Sequence, residues 1–242
     1  MILPRIRASF DRADAVALVD LLGRDDPSLR EAARSRLDQE GLDALLDDPR
    51  ILNALLTASD VPVGPSVVFY VLVRQSLLES DVHDPAIADF LATLVLAFGS
   101  GTRAYRISED SEEEFHYLVD LVTRMGEAPS DSRDAFLLRS HMGNYALWLT
   151  GLFPDFVQSR VHRRGAPPMN YYEAMGSSGY RAAAGTLQAR DLGVEQLFHG
   201  AAREFSRMRQ ALNRLSDRHL WKGRGDPVGR LLREVADGFG EA

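Results

Sequence analysis

The sequence predicts an all-α fold, a single compact domain of about ten helices. Three observations carry that expectation. Apolar residues recur at helical spacing along most of the 242 residues. Asp-Pro occurs four times, at Asp26-Pro27, Asp48-Pro49, Asp84-Pro85 and Asp226-Pro227, each time ahead of such a run. Aspartate at a helix N-cap accepts a bond from a free backbone N–H, and proline at the next position lacks an N–H that would go unbonded anyway. Gly23, Gly41 and Gly99 then fall where three of the runs end, the usual place for a helix-terminating glycine.

In chain order, the helical runs cover about 11–22, stopping at Gly23, and 27–40, stopping at Gly41. A short run at 42–47 precedes 49–58, 65–80 and 85–98, the last ending at Gly99. Residues 103–107 alternate as a strand does, but a lone strand cannot satisfy its backbone, so 100–110 reads as an irregular loop. It is the longest non-helical stretch and the place for any internal boundary. The next run, 112–127, opens on Ser111-Glu112-Glu113-Glu114, a capping-box pattern. Runs at 131–152, 155–164 and 170–186 follow, with Gly176 and Gly179 positioned to break the third. A long run at 192–220 and a final one at 227–238 complete the chain. No segment recurs at a fixed period of about 40 residues, which argues against a solenoid.

Composition narrows the chemistry. With no cysteine, there is no disulfide framework, thiol nucleophile or Cys-ligated metal site. The longest stretch free of Asp, Glu, Lys and Arg is 15 residues, 140–154, short of the roughly 20 a transmembrane helix needs. The opening residues lack the apolar core of a signal peptide, so a cytoplasmic setting is expected. Of the 28 basic residues, 27 are arginine. That bias fits a GC-rich bacterial genome, and it also supplies side chains that hold anions bidentately. The net charge of −7 is uneven: residues 1–135 carry 13 basic and 25 acidic groups, and residues 136–242 carry 15 and 10.

Several motifs reduce to structure. Gly99-Ser100-Gly101-Thr102-Arg103-Ala104 matches a dinucleotide-binding pattern, but it follows a helix and opens none, so no nucleotide cofactor is implied. Glu113-x-x-His116 has di-iron bundle spacing, yet both lie on the arc opposite Phe115, Leu118, Leu121, Val122 and Met125. They read as part of a solvated lattice in which Asp120 and Arg124 pair. No metal is implied.

Three places carry candidate function. Leu137, His141, Tyr145, Trp148 and Leu152 share one face of the 131–152 helix, with Asn144 at its border. Gly143, Ala146 and Thr150 lie on the far side, small enough for a second helix to approach closely. His141 is either a satisfied core histidine or, with Asn144, Tyr145, Tyr171, Tyr172 and Glu173, the polar anchor of a helix-lined pocket. In the pocket reading, His141 and Glu173 form an acid–base pair. Arg160, Arg163 and Arg164 stand close in sequence to Tyr171 and Tyr172, a grouping suited to a carboxylate, a phosphate or an acidic peptide. Arg203, Arg207, Arg214 and Arg218 share one face of the 192–220 helix, opposite Phe205, Met208, Leu212 and Leu215. That face meets an acidic partner, or pairs with the acidic 109–120 region of the same chain.

The leading expectation is a non-catalytic helical binding module for an acidic protein or small anionic ligand. The alternatives are an enzyme or cofactor-binding pocket at His141, and a nucleic-acid regulator using the basic helix. Net negative charge counts against the last.

Overall fold

Aspartate side chains start the first helices. In the computed structural model, Asp26, Asp48 and Asp84 each accept a backbone N–H two residues on, from Ser28, Arg50 and Ala86, at 2.9 Å in all three cases. They open α2 (Pro27–Glu40), α4 (Pro49–Thr57) and α6 (Pro85–Phe98). Asp11 adds a cap the sequence reading did not single out: it forms a reciprocal box with Asp14 at the head of α1 (Arg12–Leu22). Gly23, Gly41 and Gly99 terminate α1, α2 and α6 as expected. The structure describes residues 1–99 and 101–220, without the side chains of 101, 102, 163, 164 and 220. The expected helix at 227–238 and its Asp226-Pro227 start lie outside the described residues, as does Ser100.

The described residues form thirteen α-helices and no strand. After α3 (Leu42–Leu46) and α5 (Pro65–Leu78), the second half comprises α7 (Leu118–Glu127), α8 (Arg133–Leu152), α9 (Pro154–Arg164), α10 (Met169–Ala184), α11 (Leu187–Asp191), α12 (Glu195–Arg203) and α13 (Phe205–Leu215). One contiguous apolar core runs from Ile2 to Leu215. Its centre is α8, buried along almost its whole length and packed against α10, α13, α7, α9 and α6.

Gly176 and Gly179 do not break α10, which is continuous from Met169 to Ala184. They let it lie against α8. A Cβ built on Gly179 would sit 2.8 Å from the Arg139 carbonyl oxygen, and one on Gly176 2.4 Å from the Phe205 ring. From the other side, a Cβ on Gly143 would meet the Tyr180 ring at 2.3 Å. The small-residue face of α8 read from the sequence is the face on which α10 docks.

Three local expectations are corrected. Residues 101–105 form a 3-10 turn rather than a strand or irregular loop. The Ser111 capping box does not start a helix; α7 begins at Leu118 with no side-chain cap. The Phe115 amide donates instead to the Tyr105 carbonyl at 2.7 Å, and the His116 carbonyl accepts from the Tyr145 hydroxyl at 2.9 Å. Those tertiary bonds keep Phe115 and His116 outside any helix. The 192–220 run is broken at Glu204 into α12 and α13, and it ends in a π turn at Ser216–Leu220. The break aims Phe205 into the core, where it is 2% exposed.

Candidate functional site: an aromatic cleft around Arg160

The most developed site lies where α8, α9, the 3-10 turn and the start of α10 meet. Helical spacing puts Tyr145, Trp148 and Leu149 of α8 on one wall. Pro154 opens α9, bringing Phe153 and Phe156 round to the next wall, with Arg160 one turn beyond Phe156. The 3-10 turn contributes Tyr105, and the non-helical segment before α7 contributes His116 and Tyr117. The result is a chamber of about 350 Å³. A smaller one of about 130 Å³ adjoins it, reaching Val119, Pro167, Tyr171 and Tyr172. Both chambers share His116, Tyr117, Tyr145, Leu149 and Arg160.

The rings fix one another. Trp148 meets Phe153 edge-on at 5.1 Å and Tyr145 at 5.8 Å, while Tyr105 lies 4.5 Å from His116. Such aromatic pairs add about 0.5–1.5 kcal/mol each beyond their buried area. The Tyr145 hydroxyl is tied to the His116 carbonyl. Burial raises the Tyr145 phenol above its ordinary pKa, with Tyr105 adding to the shift. Burial raises Tyr105 as well, then Glu114. It also raises Tyr172, with Arg160 acting in the opposite sense. All three phenols are therefore neutral at physiological pH; the Tyr145 proton is committed to the His116 carbonyl, and those of Tyr105 and Tyr172 are the ones that can donate to a ligand.

Arg160 sits at the junction of the chambers. Its guanidinium carbon lies 5.5 Å from the centre of the Tyr117 ring and 5.4 Å from that of Phe156, a two-sided cation–π clasp. Its Nε is buried with no hydrogen-bond partner, and no carboxylate among the described residues pairs with it. Tyr117 and Phe156 are themselves 54% and 49% exposed, so the clasp opens to solvent.

Of the candidates read from the sequence, Arg160, Tyr145, Tyr171 and Tyr172 come together here. His141, Asn144 and Glu173 do not line the cleft. His141 is 2% exposed, lies 5.8 Å from the Phe98 ring, and bonds to the backbone of Ala104. Burial, then the charge of Arg103, pulls its pKa down to about 3, so it is neutral in the fold. Asn144 turns toward α10 and accepts from the Tyr180 hydroxyl at 3.0 Å. Glu173 is held by Arg209 and by Ser206, both on α13. His141 and Glu173 thus have separate partners, with no hydrogen bond between them.

The arginine face near the C-terminal end is engaged within the chain. Arg203 and Arg207 share Glu204, at 2.8 and 3.0 Å, and Arg207 also approaches Asp81 at 3.7 Å. Arg218 pairs with Glu79 at 2.6 Å, and Arg214 approaches the same carboxylate at 3.9 Å while bonding Ser80. The counter-charges come from Glu79, Asp81 and Glu204 rather than from 109–120. Exposed pairs of this kind contribute about 0–1 kcal/mol each, so they anchor α13 to the end of α5 only lightly. The side chains of Arg163 and Arg164 lie outside the described residues. Arg124 pairs with Glu113 and Glu127 rather than Asp120, and no metal-binding cluster forms among the described residues. No described helix is long and apolar enough to cross a membrane.

Tyr117, Phe153 and Phe156 were not singled out from the sequence, while Tyr105 was read there within a lone alternating stretch and His116 on a solvated helix face. The Phe156–Arg160 spacing of four residues was the available local signal. The contribution of Tyr105 and Tyr117 is purely tertiary. A wider groove of about 720 Å³ between α1 and α2 is lined mainly by exposed side chains, and its Arg30 already approaches Asp20 at 3.4 Å. No protein-family model, curated protein or solved structure matches this chain.

Proposed function

We propose that the protein is a non-catalytic helical binding module for a small organic anion with a flat apolar body. The observation that carries this is Arg160: a cation clasped between two rings, without a carboxylate, at the waist of an aromatic cleft. A guanidinium offers a planar fork that matches a carboxylate bidentately. The clasp holds that fork in place before the ligand arrives, which lowers the ordering cost of binding. Trp148, Phe153 and Tyr105 supply flat contact for the ligand's body, and the chamber volume suits a small ligand. The neutral phenols of Tyr105 and Tyr172 support the same reading, since a phenol O–H donates to an anion's oxygen without repelling it.

The test is a titration of the full chain with benzoate and with its neutral analogue benzamide, followed by tryptophan fluorescence and calorimetry. A charge-assisted pair of this kind corresponds to roughly tenfold to hundredfold in affinity. Benzoate should bind saturably, at least tenfold more tightly than benzamide. Arg160→Gln should remove that preference, and Arg160→Lys should retain part of it. Equal affinity for the two probes, no saturable binding, or an Arg160→Gln variant that still prefers benzoate would each overturn the reading.

A further inference from the structure

Helical serines and threonines in this protein usually return their hydroxyl proton to the carbonyl one turn back. Ser76 bonds Leu72 at 2.9 Å, Thr123 bonds Val119 at 3.0 Å and Thr150 bonds Ala146 at 2.6 Å. Thr93 on α6 departs from this habit. It is 3% exposed, and its hydroxyl has no partner. A buried polar atom left unpaired in a native fold calls for an explanation.

Thr93 lines a cavity of about 250 Å³, separate from the aromatic cleft, between the first residues of the chain, α6 and the 3-10 turn. Leu3 and Ala97 give it an apolar wall. Arg5 and Arg103 also line it, with Glu109 as the acidic residue of the lining. Neither arginine forms an ion pair among the described residues. The polar contact of Arg103 is a bond from its guanidinium to the Arg106 carbonyl. Burial holds Arg103 below its ordinary pKa; the charge of Glu109 opposes that shift and that of Arg5 adds to it. Among its lining side chains the cavity therefore holds two guanidinium groups, one carboxylate and a free buried hydroxyl. Its unmet need is for negative charge and a hydrogen-bond acceptor.

We propose that this cavity is a second ligand site, taking the carboxylate or phosphate group of a small molecule. Arg5 and Arg103 bracket the oxyanion, and the Thr93 hydroxyl donates to one of its oxygens. The apolar wall accommodates a short carbon chain, so a small organic acid or phosphate ester fits better than a polyanion. The site is independent of the cleft, since it shares none of its lining residues with it.

The experiment is calorimetric titration of the full chain with inorganic phosphate and, separately, with acetate, at constant ionic strength. Saturable binding of one or both is expected, and the stronger of the two names the oxyanion class. Thr93→Val, which removes the hydroxyl at nearly constant volume, should weaken binding severalfold. Arg5→Gln should weaken it at least tenfold. Arg5 is exposed and makes no ion pair among the described residues, so this variant folds even if replacing Arg103 disturbs the turn. Arg160→Gln should leave this binding unchanged while abolishing the benzoate preference at the cleft, so the two readings fail separately. Absence of saturable binding for both anions, full binding in Arg5→Gln, or loss only in Arg160→Gln would overturn the proposal.

Discussion

His141 makes the sharpest residue-scale statement, because the sequence allowed it two roles. Its place in an apolar stripe was legible from spacing alone; the bond to the Ala104 backbone was not, since that carbonyl comes from a turn nearly 40 residues away in the chain. Buried and pulled down to a pKa of about 3, the imidazole is neutral in the fold, whereas in the unfolded chain it titrates near 6.5. Between those values the unfolded chain binds the extra proton. The stability tied to this group is therefore fully present above about pH 6.5 and drains away as pH falls toward 3. The expected slope is about 1 kcal/mol per pH unit. Urea unfolding of the wild type and of His141→Phe at pH 7 and pH 4.5 checks it: the wild type should lose clearly more stability on acidification than the variant. Parallel losses would mean that His141 is protonated without cost in the fold.

The elements were legible wherever their signals were local. The caps at Asp26, Asp48 and Asp84 lie within three residues of the amides they bond, so the sequence contains both partners. Ser111 had an equally good local pattern, and it failed because Phe115 and His116 are bonded to Tyr105 and Tyr145 instead. A long-range bond leaves no trace in a spacing rule. The glycines of α10 show the same limit from the other direction: they looked like breaks when their role was close approach. That role is testable against a neutral site. Gly179→Ala would put a methyl group 2.8 Å from a backbone oxygen that cannot easily move, and should cost roughly 1–3 kcal/mol. Gly126→Ala in α7 meets nothing within 4 Å, and should instead stabilise by about 0.4–1 kcal/mol through the entropy of the unfolded chain. Thermal or urea unfolding of the two variants reads the sign directly. A neutral Gly179→Ala would mean that α8 and α10 can part at little cost.

At the scale of the molecule, fold class followed from the sequence because helical period is a property of neighbours. The cleft did not, because its walls come from residues 105, 116–119, 145–160 and 166–172, which only the packing of α8 gathers. The uneven charge had a molecular consequence that differs from the one its sequence positions suggested. The basic C-terminal face settles on Glu204 and on the acid groups at the end of α5, while Arg160 at the cleft has no carboxylate partner among the described residues.

The glycine-tight seam between α8 and α10 also decides how the cleft breathes. Its rear wall belongs to two helices that cannot shift past each other. Its front, residues 106–117, contains no α-helix and is tied by the Phe115–Tyr105 and Tyr145–His116 bonds and by Arg106 on Glu114 at 2.7 Å. Local opening draws on segments with few such ties, so traffic into the chamber passes through the front. In hydrogen-exchange measurements the Phe115 amide should trade its proton at least a hundredfold faster than the amides of residues 142–149, and benzoate should slow Phe115 selectively. Equal protection of front and rear would show instead that the chamber opens only when the whole molecule does.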